Sequence, residues 1–217
     1  MMSLYRKRIQ PVLCLMGLLV SMLVSEVTIA SAVDDFAQRL KAMNAMSAGF
    51  TQTVFDNSGR VLQQIEGTLS VKTPGKMYWQ TSPDFGQLVV SDGDTLWVYD
   101  QDLEQVTIRD LAKNIQDTPA LLLSGNEDDI GQHFSVTKAS LPEEVRYRLV
   151  PKDNSRLFEA LDFSYVGDAL VSMTILDAAG QVTVVSFVNS QLNPDLDDAL
   201  FAFVVPEKTD VIDARGG

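Results

Sequence analysis

Residues 71–100 run VKTPGKMYWQTSPDFGQLVVSDGDTLWVYD, a stretch dense in aromatic residues and turn formers. It holds both tryptophans (Trp79, Trp97), Tyr78 and Tyr99, and three turn signals: Thr73-Pro74-Gly75, Ser82-Pro83-Asp84 and Ser91-Asp92-Gly93-Asp94. Between the turns lie apolar runs at 77–79, 88–90 and 96–99. Short runs rich in β-branched and aromatic residues, bounded by Gly, Pro and Asp, predict consecutive antiparallel strands. Alternation sends Met77 and Trp79 to one face, Lys76 and Tyr78 to the other. Nothing in the stretch has the chemistry of a catalyst.

Upstream, the period is also two. Phe50, Gln52 and Val54 alternate with Thr51, Thr53 and Phe55, and Asp56-Asn57-Ser58-Gly59 is a turn. Val61, Gln63, Ile65, Gly67, Leu69 and Val71 continue the series, so neighbouring hairpins are expected. Before them, Asp34 or Asp35 can cap a helix whose Phe36, Leu40 and Met43 recur at spacings of four and three. That helix is expected to run about three turns and end near 47–49.

Downstream, 106–108 reads as a strand and 110–116 as a helix or loop. Thr118-Pro119-Ala120-Leu121-Leu122-Leu123 reads as a short helix, with Pro119 in its first turn and Gly125 as its stop. Three consecutive leucines on so short a piece make either a fixed plug over the sheet or a lid able to leave an apolar cavity. After an acidic loop at 126–131, strands are expected at 133–137, 145–150, 158–165, 169–176, 181–189 and 201–205. A short helix at 195–200 and pairing at Val211-Ile212 complete the chain. The fold class is therefore mainly β, with ten or eleven strands and two or three short helices. An antiparallel sheet this large exposes an apolar face and pairing edges unless it is closed or covered. A strongly curved sheet wrapped around the helices meets both demands and leaves a cavity between them.

The N-terminus carries a basic Arg6-Lys7-Arg8, an apolar run at 11–24 and the small-x-small site Ala30-Ser31-Ala32. Residues 1–32 are expected to be a cleaved signal peptide, which leaves 33–217 as one periplasmic domain. The chain has 29 acidic and 17 basic residues, a net charge of −12. The leader takes three basic residues and one acidic residue with it, so the mature charge is −14. So acidic a chain argues against nucleic acid and anionic membrane surfaces as partners and for basic ones.

Little else suggests chemistry. Cys14, the sole cysteine, lies in the leader, which excludes disulfides, thiol nucleophiles and thiolate metal sites from the mature chain. His133 is the sole histidine, so the common zinc and copper sets are out of reach. A Gly-x-Ser-x-Gly elbow, a phosphate loop and a dinucleotide fingerprint are all missing. Paired carboxylates for glycoside hydrolysis stay open, because only geometry selects a pair. No cofactor or metal is implied, and what remains is apolar surface with a lid.

The chain resembles the periplasmic outer-membrane lipoprotein carriers, the LolA family. The resemblance rests on Phe50-Thr51-Gln52, Gly67, Pro74 with Trp79, Val90-Ser91-Asp92-Gly93, Leu96-Trp97-Val98-Tyr99-Asp100, Gln105-Val106-Thr107 and Thr118-Pro119-Ala120-Leu121-Leu122-Leu123. It continues through Gly180-Gln181-Val182-Thr183, Phe201-Ala202-Phe203 with Pro206, and Asp210-Val211-Ile212. It implies an incomplete β-barrel lidded by helices around a cavity for lipoprotein acyl chains, with no covalent chemistry. The candidate acyl-contact residues are Phe50, Met77, Trp79, Val89, Leu96, Val98, Leu121, Leu122 and Leu123, with ordinary core packing as the equal alternative for Met77. The implied partners are acylated lipoproteins, an inner-membrane lipoprotein-releasing ABC exporter and an outer-membrane acceptor lipoprotein, met by a monomer. A second reading keeps the fold and makes the protein a lipid- or lipoprotein-sensing regulator. One position departs from the pattern. Relatives often carry an Arg latch for the lid just before the proline matching Pro74, and here that residue is Thr73. Lys76 or Lys72 is the nearest cation, and an ammonium lacks the planar fork of a guanidinium.

Overall fold

The computed structural model describes residues 31–111, 119–124, 130–153 and 158–215. Its strands are β1 (Ala45–Phe55), β2 (Val61–Lys72), β3 (Lys76–Thr81), β4 (Gln87–Asp92), β5 (Thr95–Asp100) and β6 (Gln105–Asp110). They continue as β7 (Phe134–Ser140), β8 (Val145–Pro151), β9 (Phe158–Val166), β10 (Ala169–Asp177), β11 (Val182–Leu192) and β12 (Asp210–Asp213). All twelve form one sheet in the order β12-β6-β5-β4-β3-β2-β1-β11-β10-β9-β8-β7. The chain thus makes two meanders, β1–β6 and β7–β11, joined where β1 pairs antiparallel with β11. The sheet is curved and open, not closed into a barrel, and a single buried cluster fills its inner face.

The count exceeds the expected ten or eleven, and the membership differs. Residues 201–205, expected as a strand, stay outside the sheet. Phe201 is buried at the end of a 3-10 turn (Asp198–Phe201), and Phe203 lies against the rings of Trp97 and Tyr99 on the outer face. Ring packing, not a hydrogen-bonded ladder, holds this segment. β12 pairs with β6 in parallel, the one parallel pair among the described residues. His133, expected to start a strand, instead ends a short helix, α2 (Ile130–His133). Most of the expected helix or loop at 110–116, and most of the acidic loop at 126–131, lies outside the described residues.

The N-terminal helix α1 (Ala32–Ala42) ends sooner than its apolar spacing suggests. Met43 N–H closes onto the Leu40 carbonyl, and Ala45 is already paired with Lys72. Asn193, from the far end of β11, donates to the Ala42 carbonyl and accepts from Ala45 N–H, both at 3.1 Å. That side chain adds a partner for the Ala42 carbonyl, which the local Met43 bond leaves open. At the other end of the full chain Ser31, which the expected cleavage after Ala32 would remove, accepts from Asp34 N–H, while Asp34 and Asp35 sit in the first turn and Arg39 and Lys41 in the last. This charge order matches the helix dipole. Among the described residues no helix is long and apolar enough to cross a membrane.

α1 covers the β7–β10 half of the inner face. Phe36 is fully buried, its ring 5.2 Å from those of Tyr147 and Phe163. A polar cluster fixes it there: Tyr147 donates to Asp35 (2.5 Å), Lys138 pairs with Asp35 (2.6 Å), and Arg39 Nε donates to the Tyr147 hydroxyl (2.9 Å). The bonds from Lys138 and Tyr147 hold the Asp35 carboxyl below its ordinary range. A depressed carboxylate adds stability above its unfolded pKa, about 4, and that stability is lost as pH falls through the lower folded value. Asp35→Asn is expected to cost about 2 kcal/mol at neutral pH. It should also flatten the loss of stability below pH about 4, as read by urea unfolding at stepped pH. An acid limb identical to that of the parent protein would contradict this role.

Candidate functional site

The β2–β5 registers stack the inner-face residues into rows. Val71, Met77, Ser91 and Leu96 lie opposite one another in one row, and Leu69, Trp79, Val89 and Val98 in the next. Met77 and Trp79 therefore face inward, as their burial shows, while Tyr78 and Trp97 face outward. Phe50 reaches this surface from β1. It lies opposite Gly67, and its ring crosses β2 to stack on Trp79 at 4.0 Å between centroids. The crossing is open only because Gly67 has no side chain: a Cβ there would sit 2.4 Å from the Phe50 ring and 2.3 Å from the Gln80 carbonyl.

A 3-10 turn, Pro119–Leu123, closes over these rows, with Ala120, Leu121, Leu122 and Leu123 all buried. Among the described residues a main-chain bond fastens it. Gly75 N–H donates to the Ser124 carbonyl at 2.5 Å, and Ser124, itself buried, donates back to the Leu121 carbonyl. The turn it meets is closely packed. Gly75 has φ +69°, its carbonyl accepts from the buried Ser91 hydroxyl at 2.7 Å, and a Cβ on it would lie 2.8 Å from Leu111.

Between turn and sheet lies a cavity of about 150 Å³. Met77, Trp79 and Val89 wall it from one meander, and Met173, Ile175 and Val185 from the other. Pro119 and Ala120 roof it, and Gln52 and Gln87 supply its polar margin. Of the residues expected from the sequence, Phe50 stands behind Trp79, Leu96 and Val98 lie in the same rows away from the void, and Leu121–123 pack beside it in the core. The β10 and β11 wall was missed, since only the β1–β11 pairing brings it across. Gln52 was visible as part of a motif and not as a wall.

Thr73 and Lys76 lie elsewhere. Thr73 donates through both N–H (2.9 Å) and hydroxyl (3.2 Å) to the Asn44 carbonyl, which ties the β2–β3 turn to the end of α1. Lys76 (3.0 Å) and Lys72 (2.7 Å) converge on Asp198 and hold the C-terminal 3-10 turn to the outer face. The two ammonium groups hold the Asp198 carboxyl below its ordinary range. Their charge is spent opposite the cavity. Among the described residues, no cluster of three or more His, Cys, Asp or Glu side chains is placed to hold a metal ion.

Fold and site together describe an open β-cup with a lidded apolar interior. The model of the outer membrane lipoprotein carrier protein LolA matches residues 41–204, and the chain belongs to that family. It is 42% identical over 182 residues to the outer-membrane lipoprotein carrier protein of Alcanivorax borkumensis, covering 83% of this chain and 87% of the relative. The corresponding protein of Hahella chejuensis is 41% identical over 185 residues, covering 84% of this chain and 88% of the relative. Among solved structures, an uncharacterized conserved protein from Thermus thermophilus shares the fold with a TM-score of 0.50 and 14% identity, covering 83% of this chain and 96% of that one.

Gly67→Ala is expected to force Phe50 off Trp79 and to destabilise the protein by about 1–3 kcal/mol, as overpacking does. Urea unfolding reads the stability, and tryptophan emission reads the lost stack. Parent-like values in both measurements would show that the crossing has slack.

Proposed function

We propose that the protein is a periplasmic chaperone that takes the acyl chains of lipoproteins released from the inner membrane and delivers them to an outer-membrane acceptor. The supporting observation is the apolar cavity of Met77, Trp79, Val89, Met173 and Val185 under a short lid, in a member of the lipoprotein carrier family. In this reading residues 1–32 are a cleaved export signal and 33–217 the working domain. An inner-membrane ABC exporter loads it, an acceptor lipoprotein unloads it, it acts as a monomer, and no bond is made or broken. Both curated relatives described above are named as carriers, which favours transport over a sensing role.

Energetics say how the site has to work. An acyl chain of about 16 carbons is worth on the order of 12 kcal/mol in transfer from water, at roughly 0.8 kcal/mol per CH₂. A void of about 150 Å³ accommodates a ligand the size of benzene, far short of such a chain. Loading therefore requires the 119–124 segment to leave, and the cargo's methylenes to take over the contacts of Leu121–123. A lid only a few kcal/mol more stable closed than open lets cargo in and out. Among the described residues the fastening is the Gly75–Ser124 main-chain bond plus a few leucines, which is of that order.

An arginine at the family's latch position would add a guanidinium beside the β2–β3 turn. Thr73→Arg is expected to fasten the lid and lower the binding of an apolar probe dye several-fold, and equal or stronger dye binding would sink the latch argument. The carrier reading is tested on spheroplasts that retain newly made lipoproteins. Adding the purified protein should bring those lipoproteins into the soluble fraction as a one-to-one complex. Lipoproteins that stay membrane-bound would overturn it.

A further inference from the structure

Lys72 and Lys76 are the last pair of the β2–β3 ladder and lie directly opposite one another on the outer face. The three residues between them form the turn that presents Gly75 N–H to the lid. Like charges directly opposite one another destabilise a strand pair, and here they sit at the foot of that turn. Asp198 lies between them. Its Oδ1 accepts from Lys72 Nζ at 2.7 Å, and its Oδ2 meets Lys76 Nζ at 3.0 Å. Other groups fasten the rest of the turn: the Ser91 hydroxyl donates to the Gly75 carbonyl, and Thr73 donates to the Asn44 carbonyl. On the outer side the two ammonium groups share the Asp198 carboxylate.

The segment that carries Asp198 is held by other means. Its 3-10 turn packs on β3 and β4 through Phe201, which is 1% exposed and lies outside the buried cluster of the inner face. Asp197, not Asp198, caps the turn, accepting from Ala199 N–H at 2.9 Å. Phe203 follows, seated against Trp97 and Tyr99. The Asp198 side chain is 61% exposed, against 34% for Lys72 and 25% for Lys76, so the carboxylate can be approached without entering the cup. A carboxylate that its own turn does not use, bonded to both lysines at the foot of another turn, acts at that other turn.

Resting on the carrier reading, in which the 119–124 segment leaves to admit cargo, we propose that Asp198 is a positioning residue for the lid. From the outer face it neutralises the Lys72–Lys76 pair and keeps the foot of the β2–β3 hairpin closed, where Gly75 N–H meets the Ser124 carbonyl. The grip on the lid is thus set in part from the side opposite the cavity.

The test measures hydrogen exchange of the Gly75 amide by NMR on the purified, empty protein, with binding of the neutral dye Nile red as a second reading. Exchange reports local opening directly. Asp198→Asn is expected to speed exchange at Gly75 about two- to fivefold, the range an exposed charge contact supports. Nile red binding should rise with it, while the amides of β8 and β9 exchange as in the parent protein. Asp198→Glu keeps the charge and should stay near the parent rate. Adding Lys76→Gln to Asp198→Asn removes the repulsion and should return Gly75 to near the parent rate, which a purely structural role for Asp198 would not do. Parent-like exchange at Gly75 in Asp198→Asn would overturn the proposal, and so would an equal acceleration across β8 and β9. Acceleration that persists in the double variant, or that Asp198→Glu shares, would confine Asp198 to its own segment and overturn it as well. Each of these results leaves the carrier reading to the spheroplast assay, which does not depend on them.

Discussion

The pairing of β1 with β11 is the constraint on which the rest depends. It joins residues 45–55 to residues 182–192 and turns two separate meanders into one sheet. Without it, each meander would present an apolar face with nothing opposite. With it, the Met77–Trp79–Val89 wall and the Met173–Ile175–Val185 wall confront each other across a single void. Such a pairing closes a loop of more than a hundred residues. Its cost grows only slowly with loop length, so burial along the seam offsets it. Phe50 and Phe187 in register, with Val185 opposite Gln52, supply much of that burial.

What could be read from residues 71–100 was local. The strands β3, β4 and β5 fell where turn residues and period-two alternation put them, because Pro74, Gly75, Pro83 and Gly93 punctuate the stretch unambiguously. The inner row of Met77 and Trp79 followed from the same alternation once one face was known to be buried. What could not be read was tertiary. Asn193 meets the end of α1 from 151 residues beyond Ala42, and nothing near 43–49 announces it. The run at 201–205 alternates like a strand, yet its aromatic residue is claimed by Trp97 and Tyr99, and no strand offers it a ladder.

Charged residues near the site mostly serve the frame. Lys72 and Lys76 neutralise Asp198 on the outer face, and Lys138 and Arg39 engage Asp35, Tyr147 and Gly167 around α1. Exposed pairs of this kind contribute modestly, while the part-buried cluster around Tyr147 fixes where α1 sits. Apart from Ser91 and the glutamines at the cavity margin, the inner face between the two walls is thereby left to hydrocarbon, sulfur and aromatic rings. The same separation of charge from cavity explains how so acidic a chain can hold an apolar interior.

The bond from Gly75 to Ser124 runs between two peptide groups, which bears on how this protein can change over generations. A side-chain latch can be lost or regained by one codon change. A peptide latch persists through nearly every substitution at its acceptor end, and at its donor end the left-handed turn admits little but glycine. Inheritable variation in grip is then channelled into the few leucines beside it, where each step is a methyl group or two. A lineage built this way can drift through graded strengths of hold without passing through a carrier that never closes.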